Sequence, residues 1–379
     1  MDIANHKYIR DVNTSIIIQT LLKYEPISRI DIAKKTKLNK STVTRIISDL
    51  ITKELVIELG NSKIAHFGRK PILLTTNKNA GHVVSIEIDH KMIYGILTNL
   101  KGDILVERKE TIKNTEKDII KYQIINFIDN LIEKKQKSKY GIIGIACGIH
   151  GMVSDNETIK FAPYLKWEDF DLKKILEKHY KINVFIDNEA NFSVIGEYSF
   201  YNNFSNMVSL NIKTGIGMGI IMNKDLYSGN TGYAGEIGHM IIVPKGIKCP
   251  CGNEGCFEQY ASESAFIHNL MSKYNSNFNL DDILNSTNNQ EVENLLDYLA
   301  LGLNNIITIL NLEAIIINSS LFKKIPQFIT RLQKRLISNM NTNYQLLLSK
   351  LGKKACTLGG TTIVIKNFYG IENTVFNSF

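Results

Sequence analysis

The chain has 379 residues, of which 44% are hydrophobic and 22% charged; that length calls for two or three domains, and that composition excludes a disordered or fibrous protein. No run of eighteen or more apolar residues occurs and residues 1–13 are polar, so neither a membrane span nor a signal peptide is expected and the protein is predicted to be cytoplasmic. The formal net charge is +8, and residues 1–75 carry 13 Lys and Arg against 7 Asp and Glu, a local surplus that suits a polyanionic partner and equally describes a solvated basic face.

Residues 13–53 read as three short helices. Ile16, Ile17, Leu21 and Leu22 give the first an apolar stripe, and Pro26 closes it. Ser28 is placed to cap the second, with Asp31 in its first turn. Asn39 is placed to cap the third, where Val43, Ile46, Ile47 and Leu50 fall on one face at helical spacing. Lys40, Ser41, Thr42, Thr44 and Arg45 fall on the other face, and cationic and hydroxyl side chains near a helix N-terminus suit the major groove of DNA. Leu55-Val56-Ile57 and Ile72-Leu73-Leu74 then read as two strands around a polar loop holding Arg69 and Lys70, the pattern of a β-wing. A plain three-helix bundle with a polar outer face is the alternative.

From Gly81 the pattern changes to strands alternating with helices, as in α/β layers. Strands are expected over 83–88, 93–98, 142–147, 184–186 and 207–212, and helices over 119–134 and 172–179. No internal repeat is evident, and the Asn-rich stretch 275–294 reads as loop.

Cys249, Cys251 and Cys256 crowd into one short segment that starts ten residues beyond His239, while Cys147 and Cys356 stand alone. That is not the pattern of a secreted disulfide framework; three thiolates and an imidazole supply the closed tetrahedral shell of a structural zinc site. Upstream, after a strand, lies a glycine-rich segment that reads as a turn, Thr214-Gly215-Ile216-Gly217-Met218-Gly219. Such a stretch can cradle phosphate or mark only close backbone packing. Asn188, Glu189 and Asn191 follow a strand, at the carboxyl end where α/β sheets bind ligands, and a helix cap is the plainer reading of the same residues.

Together these segments resemble the ROK family, which groups bacterial sugar repressors with sugar kinases. The likeness is carried by Pro26 to Leu50, by Phe67-Gly68-Arg69-Lys70-Pro71, by Ile186-Asp187-Asn188-Glu189-Ala190-Asn191, by Ala234-Gly235-Glu236-Ile237-Gly238-His239 and by the Cys249 to Glu258 segment. It implies an N-terminal winged helix-turn-helix, mainly α with a β-wing, over 1–75. An α/β two-lobed, actin/hexokinase-like ROK domain over 76–379 then serves sugar sensing and dimerisation. It also implies sugar contacts at Asn188, Glu189, Glu236, His239 and Glu258, with Gly151 near the sugar and His239 shared with the zinc. Within the family, the Leu38 to Val43 helix start and the Asn188 to Asn191 loop look most like the xylose repressors of low-GC Gram-positive bacteria, so D-xylose is the first choice of effector.

The departures from the family's kinases matter as much. Where the kinases carry an Asp-x-Gly-Gly-Thr phosphate loop this chain reads Glu87-Ile88-Asp89-His90-Lys91. Glu189 replaces the catalytic Asp, and Asn318-Ser319 replaces a Gly-Gly pair that backs the adenosine. The expectation is a homodimeric repressor of a palindromic operator, without ATP, catalysis or membrane attachment. An active kinase with an appended DNA-binding domain, and a DNA-binding protein whose sensor is only a scaffold, are the rival readings.

Overall fold

The computed structural model describes residues 2–61, 71–201, 203–274, 278–285, 289–337 and 343–371. Helix α1 spans Asp2–Tyr24, strand β1 Ile27–Ser28, α2 Arg29–Thr36, α3 Lys40–Thr52, β2 Val56–Asn61 and β3 Ile72–Thr76. Helix α1 therefore begins well before residue 13, because no Pro or Gly interrupts the sequence from Asp2 to Tyr24. Ile17, Ile18, Leu21 and Leu22 form its buried stripe and Ile16 is exposed, a shift of the expected face by one residue. The Ser28 hydroxyl accepts from the Asp31 amide at 3.2 Å and donates to the Asp31 carboxylate at 2.7 Å, so the second helix is capped as expected. Asn39 stands at the N-cap of α3 but its side chain makes no capping bond. Val43, Ile46, Ile47 and Leu50 are all buried, and each such aliphatic contributes about 1.5–3 kcal/mol relative to exposure. Strand β3 pairs antiparallel with both β1 and β2, which completes the winged helix-turn-helix.

The chain continues through β4 (His82–Ile88), β5 (Met92–Asn99), β6 (Ile104–Thr111), α4 (Lys117–Ile132), β7 (Ile142–Ile149), β8 (Met152–Val153), β9 (Ile159–Ala162), β10 (Trp167–Phe170), α5 (Leu172–Tyr180), β11 (Val184–Asn188) and α6 (Glu189–Phe200). Next come β12 (Met207–Ile212), β13 (Ile216–Met222), β14 (Asp225–Leu226), α7 (Glu258–Ala261), α8 (Glu263–Tyr274), α9 (Leu280–Asn285) and α10 (Gln290–Leu310). Last are β15 (Ala314–Ser319), α11 (Ser320–Lys324), α12 (Gln327–Gln333), β16 (Gln345–Leu348) and α13 (Ala355–Tyr369). The Asn-rich stretch expected to be loop contains α9 and the opening of α10, whose first turn is capped by the Asn289 side chain at 3.0 Å.

Two five-stranded sheets result, in the orders β11-β7-β4-β5-β6 and β14-β13-β12-β15-β16. Each has its first strand in the middle, its second and third stepping to one side and its last two to the other. The two sheets thus share a topology that the sequence does not display as a repeat. The chain separates into two compact units: residues 1–147, 171–186 and 360–379 form one, and 148–170 and 187–359 the other. The winged helix-turn-helix belongs to the first. In the second, β12, β13 and β15 pack Val208, Leu210, Ile315 and Ile317 against Phe257, Leu296, Leu303 and Phe328.

Candidate functional site

Because the apolar stripe of α3 faces inward, Lys40, Ser41, Thr44 and Arg45 are left exposed and Thr42 half-buried. Arg69 and Lys70 lie outside the described residues.

The second unit gathers the carboxylates. Asn188 caps α6, its Oδ1 accepting from the Ala190 amide at 2.7 Å, while its Nδ2 donates to the Gly151 carbonyl at 2.8 Å. The helix-cap reading of Asn188 thus holds, and the same amide ties down Gly151. Asp187 Oδ1 accepts from the Asn188 amide at 2.7 Å and from Asn191 Nδ2 at 2.8 Å, and burial pushes its carboxyl up to about 6. Glu189, the first residue of α6, is buried. A Cβ at Gly217 would lie 3.1 Å from Glu189 Oε1, and one at Gly215 2.6 Å from Glu258 Oε2, so β13 and the turn before it present bare backbone to both carboxylates. Burial, then the charges of Glu189 and Glu258, push Glu236 up to about 7, with no hydrogen bond to a described residue among the causes. Glu189 and Glu258 thus lie close enough to Glu236 to act on its charge.

Close packing accounts for the glycine-rich stretch. A Cβ at Gly219 would come 2.2 Å from the Ala190 carbonyl oxygen, and one at Gly235, where φ is +91°, 1.9 Å from that of Met218. Gly217 and Gly219 are strand residues in β13 rather than part of a turn, and α6 lies directly on them.

His239, Cys249, Cys251 and Cys256 offer ligand atoms all within 4.8 Å of one another. Cys249 Sγ is 3.6 Å from His239 Nδ1, and Cys251 Sγ is 3.6 Å from Cys256 Sγ. A tetrahedral ion with bonds of ~2.3 Å spaces its ligand atoms about 3.8 Å apart, so the donor set fits a metal ion. Glu258 adjoins it, with Oε1 3.4 Å from Cys249 Sγ and 3.7 Å from His239 Nδ1. The cluster and the group of acids therefore meet at His239 and Glu258.

Other acids and amides are satisfied from within the fold. Asp89 Oδ1 accepts from the Lys91 and Met92 amides at 2.6 and 2.8 Å, closing a tight turn between β4 and β5. Asn318 donates to Asn211 Oδ1 at 3.0 Å and to the Gly352 carbonyl at 3.1 Å. Glu263 accepts from the hydroxyls of Ser319 and Ser320 at 2.7 and 2.6 Å, and from the amides of Ser320 and Leu321 at 2.6 and 3.2 Å. Glu263 carried no sequence signal, being one acid in an ordinary helix. Asp187 was legible only as part of a motif, and its buried carboxyl only in three dimensions. Tyr164 was missed as well; burial, then Glu258 and Cys249, push its phenol up, which puts it in the field of the same site.

A winged helix-turn-helix in one chain with two sheets of shared strand order and a His-Cys cluster defines the class, a winged helix-turn-helix head carried on a two-sheet α/β fold. A family profile described as ROK family matches residues 83–367. The xylose repressor of Bacillus spizizenii is 36% identical over 98% of this chain and 99% of its own length, and that of Bacillus subtilis is 36% identical over 97% and 98%. Among solved structures, a ROK family transcriptional regulator described as a homologue of the Escherichia coli MLC protein shares the fold with a TM-score of 0.81 and 23% identity, over 96% of this chain and 97% of that one. A ROK family glucokinase from Streptomyces griseus, solved with glucose and AMPPNP, has a TM-score of 0.66 and 24% identity, covering 75% of this chain and 99% of that one. The chain belongs to the ROK family.

Proposed function

We propose that this protein is a sugar-responsive transcriptional repressor that D-xylose releases from its operator. The observation that carries this reading is the extent of the likeness: the xylose repressors match over 98% of the chain, head included, whereas the glucokinase covers 75% of it. Residues 1–75 are the DNA-binding domain and 76–379 the sensor. Lys40, Ser41, Thr42, Thr44 and Arg45 on α3 contact the major groove, and Arg69 and Lys70 of the wing contact phosphates. A two-fold homodimer reads a palindromic operator in the bacterial cytoplasm.

Asn188, Glu189, Glu236, His239 and Glu258 form the sugar site. Carboxylates massed together accept readily from sugar hydroxyls, and the raised Glu236 supports that role. His239, Cys249, Cys251 and Cys256 hold a structural zinc ion, whose closed shell fixes one wall of the pocket and supplies no chemistry. His239 Nδ1 faces Cys249 Sγ at 3.6 Å, so His239 would bind the metal through Nδ1 and would leave Nε2 as a donor to the sugar. Phosphoryl transfer depends on positioning and neutralising phosphates. The Asp89 turn and the Glu263 bonds to Ser319 and Ser320 support the reading that ATP is not used, since both occupy their donors internally.

The test is operator titration at fixed salt, with and without D-xylose, for the wild type and Glu236→Ala. Xylose is expected to weaken wild-type binding about 5- to 150-fold, the usual span of such couplings. Glu236→Ala is expected to bind operator normally and to ignore xylose. If no sugar that binds the wild type alters its operator affinity, the sensor is a scaffold.

A further inference from the structure

The joint between the DNA-binding head and the α/β layers of the same unit is unusually polar for a connection of five residues, 77–81. Glu25, which follows α1, pairs with Lys101 of the β5–β6 turn at 2.7 Å, and their side chains are only 10% and 23% exposed. Glu25 Oε2 also accepts from the Thr75 hydroxyl at 2.7 Å and the Thr76 amide at 2.6 Å, and Lys101 Nζ donates to Thr75 Oγ1 at 3.1 Å. A second grip lies where α3 runs into β2. Tyr140 donates its hydroxyl to the Lys53 carbonyl at 2.9 Å, and Lys139 pairs with Glu54 at 3.0 Å. The connection is tied down too: the Leu100 amide donates to the Lys78 carbonyl at 3.0 Å and the Tyr140 amide to that of Ala80 at 2.9 Å. The head is held, not tethered.

Helix α13 ends at this joint. Phe368 meets the Tyr140 ring edge-on, with centroids 5.2 Å apart. The same helix begins in the other unit, where it abuts α6 backbone to backbone. A Cβ at Gly359 would lie 1.7 Å from the Phe192 carbonyl oxygen, and one at Gly196 2.4 Å from that of Ala355. Helix α6 opens with Glu189 and is capped by Asn188. Helix α13 therefore touches α6 at its first residues and Tyr140 at its last.

We infer that Glu25, Lys101 and Tyr140 are positioning residues that clamp the DNA-binding head, and that α13 carries the state of the sugar site to this clamp. The inference rests on the sugar-responsive reading for its ligand, though not for the clamp itself. Coupling between distant sites needs an element whose equilibrium both sites bias. A shift of α6 on ligand binding displaces α13, since at Gly196 and Gly359 no side chain cushions their contact, and its far end then moves Tyr140 against Lys53.

The test uses the full-length, zinc-loaded protein and the Lys101→Met/Tyr140→Phe double variant, with Lys101→Arg as the conservative control. Operator titration with and without D-xylose is paired with hydrogen exchange over residues 53–57 and 72–78. The double variant is expected to bind operator and xylose within about threefold of wild type, while the xylose effect on operator affinity falls from at least about fivefold to below about twofold. Its two joint segments exchange faster, and Lys101→Arg keeps both coupling and protection. A double variant that retains the full xylose effect overturns the inference. If no sugar moves operator affinity in the wild type, the functional reading fails on its own. Hydrogen exchange then decides the clamp, which is overturned if protection at Thr76 is the same in wild type and double variant.

Discussion

Two groups of acids in this chain are treated in opposite ways. Glu263 and Asp89 are met by hydroxyls and amides of their own surroundings. Glu236 is half-buried beside Glu189 and Glu258, with like charges for company and its carboxyl pushed up to about 7. A carboxylate satisfied from within holds a fold together and offers little to a visitor. A carboxylate held among its own kind costs stability until a ligand arrives. The contrast separates structure from binding more clearly than residue type does, since every side chain concerned is Asp or Glu.

The largest effect that sharpens this contrast is expected at the metal cluster, where structure and pocket meet. Cys256→Ser, or removal of the metal by a chelator, should destabilise the protein by on the order of 5 kcal/mol or more, because metal binding is coupled to folding. Denaturant unfolding alongside metal analysis measures it, and a protein free of zinc with unchanged stability would refute the assignment. Next is Glu263→Ala, which strands the Ser319 hydroxyl and the Leu321 amide, both in buried residues. It should cost about 2–4 kcal/mol in the same experiment and leave the xylose dissociation constant alone.

Glu197 sets a third case. It lies on α6 with Glu189 but is fully buried, one carboxylate oxygen accepting from Ser349 and the other among those without a hydrogen-bond partner. Burial pushes it from an ordinary 4.5 up to about 7. The native state then holds a proton that the unfolded state releases, so stability falls as pH rises through that interval, by no more than about 3 kcal/mol. Glu197→Gln should flatten this component of unfolding free energy between pH 5 and pH 7.5; an unaltered slope would show that the carboxyl is not protonated in the native state. The smallest effect is that of Glu236→Ala on stability itself, expected to be neutral or a gain of about 1 kcal/mol while sugar binding is lost. A large loss of stability would place Glu236 with Glu263 and break the contrast.

What the sequence discloses follows the range of the interactions. The inward stripe of α3 and the bounds of β12 need only neighbours in the chain, and both are read correctly. The Cys249 to Cys256 segment is legible because its ligands are nearly contiguous. Strand β6 hides because it alternates half-buried with exposed residues and carries Glu107, Arg108, Lys109 and Glu110. Strand β13 reads as a turn because its glycines are there for α6, which lies elsewhere in the sequence. The shared strand order of the two sheets and the bonds of Glu263 across more than fifty residues depend wholly on long-range pairing. The carboxylates of the sugar site could be named from family motifs, but their mutual repulsion could not.

Gly235 and Gly238 bear on how this repressor's specificity can change. A Cβ at either would strike a carbonyl oxygen of β13, at 1.9 Å from Met218 and 2.3 Å from Ile216. The backbone on both sides of Glu236 is therefore fixed by its fit to a strand, whatever sugar is bound. Lineages that adapt to a new inducer would have little room to re-aim this segment. Their substitutions should accumulate outside this segment, so residues 234–239 would stay constant while inducers diverge around them.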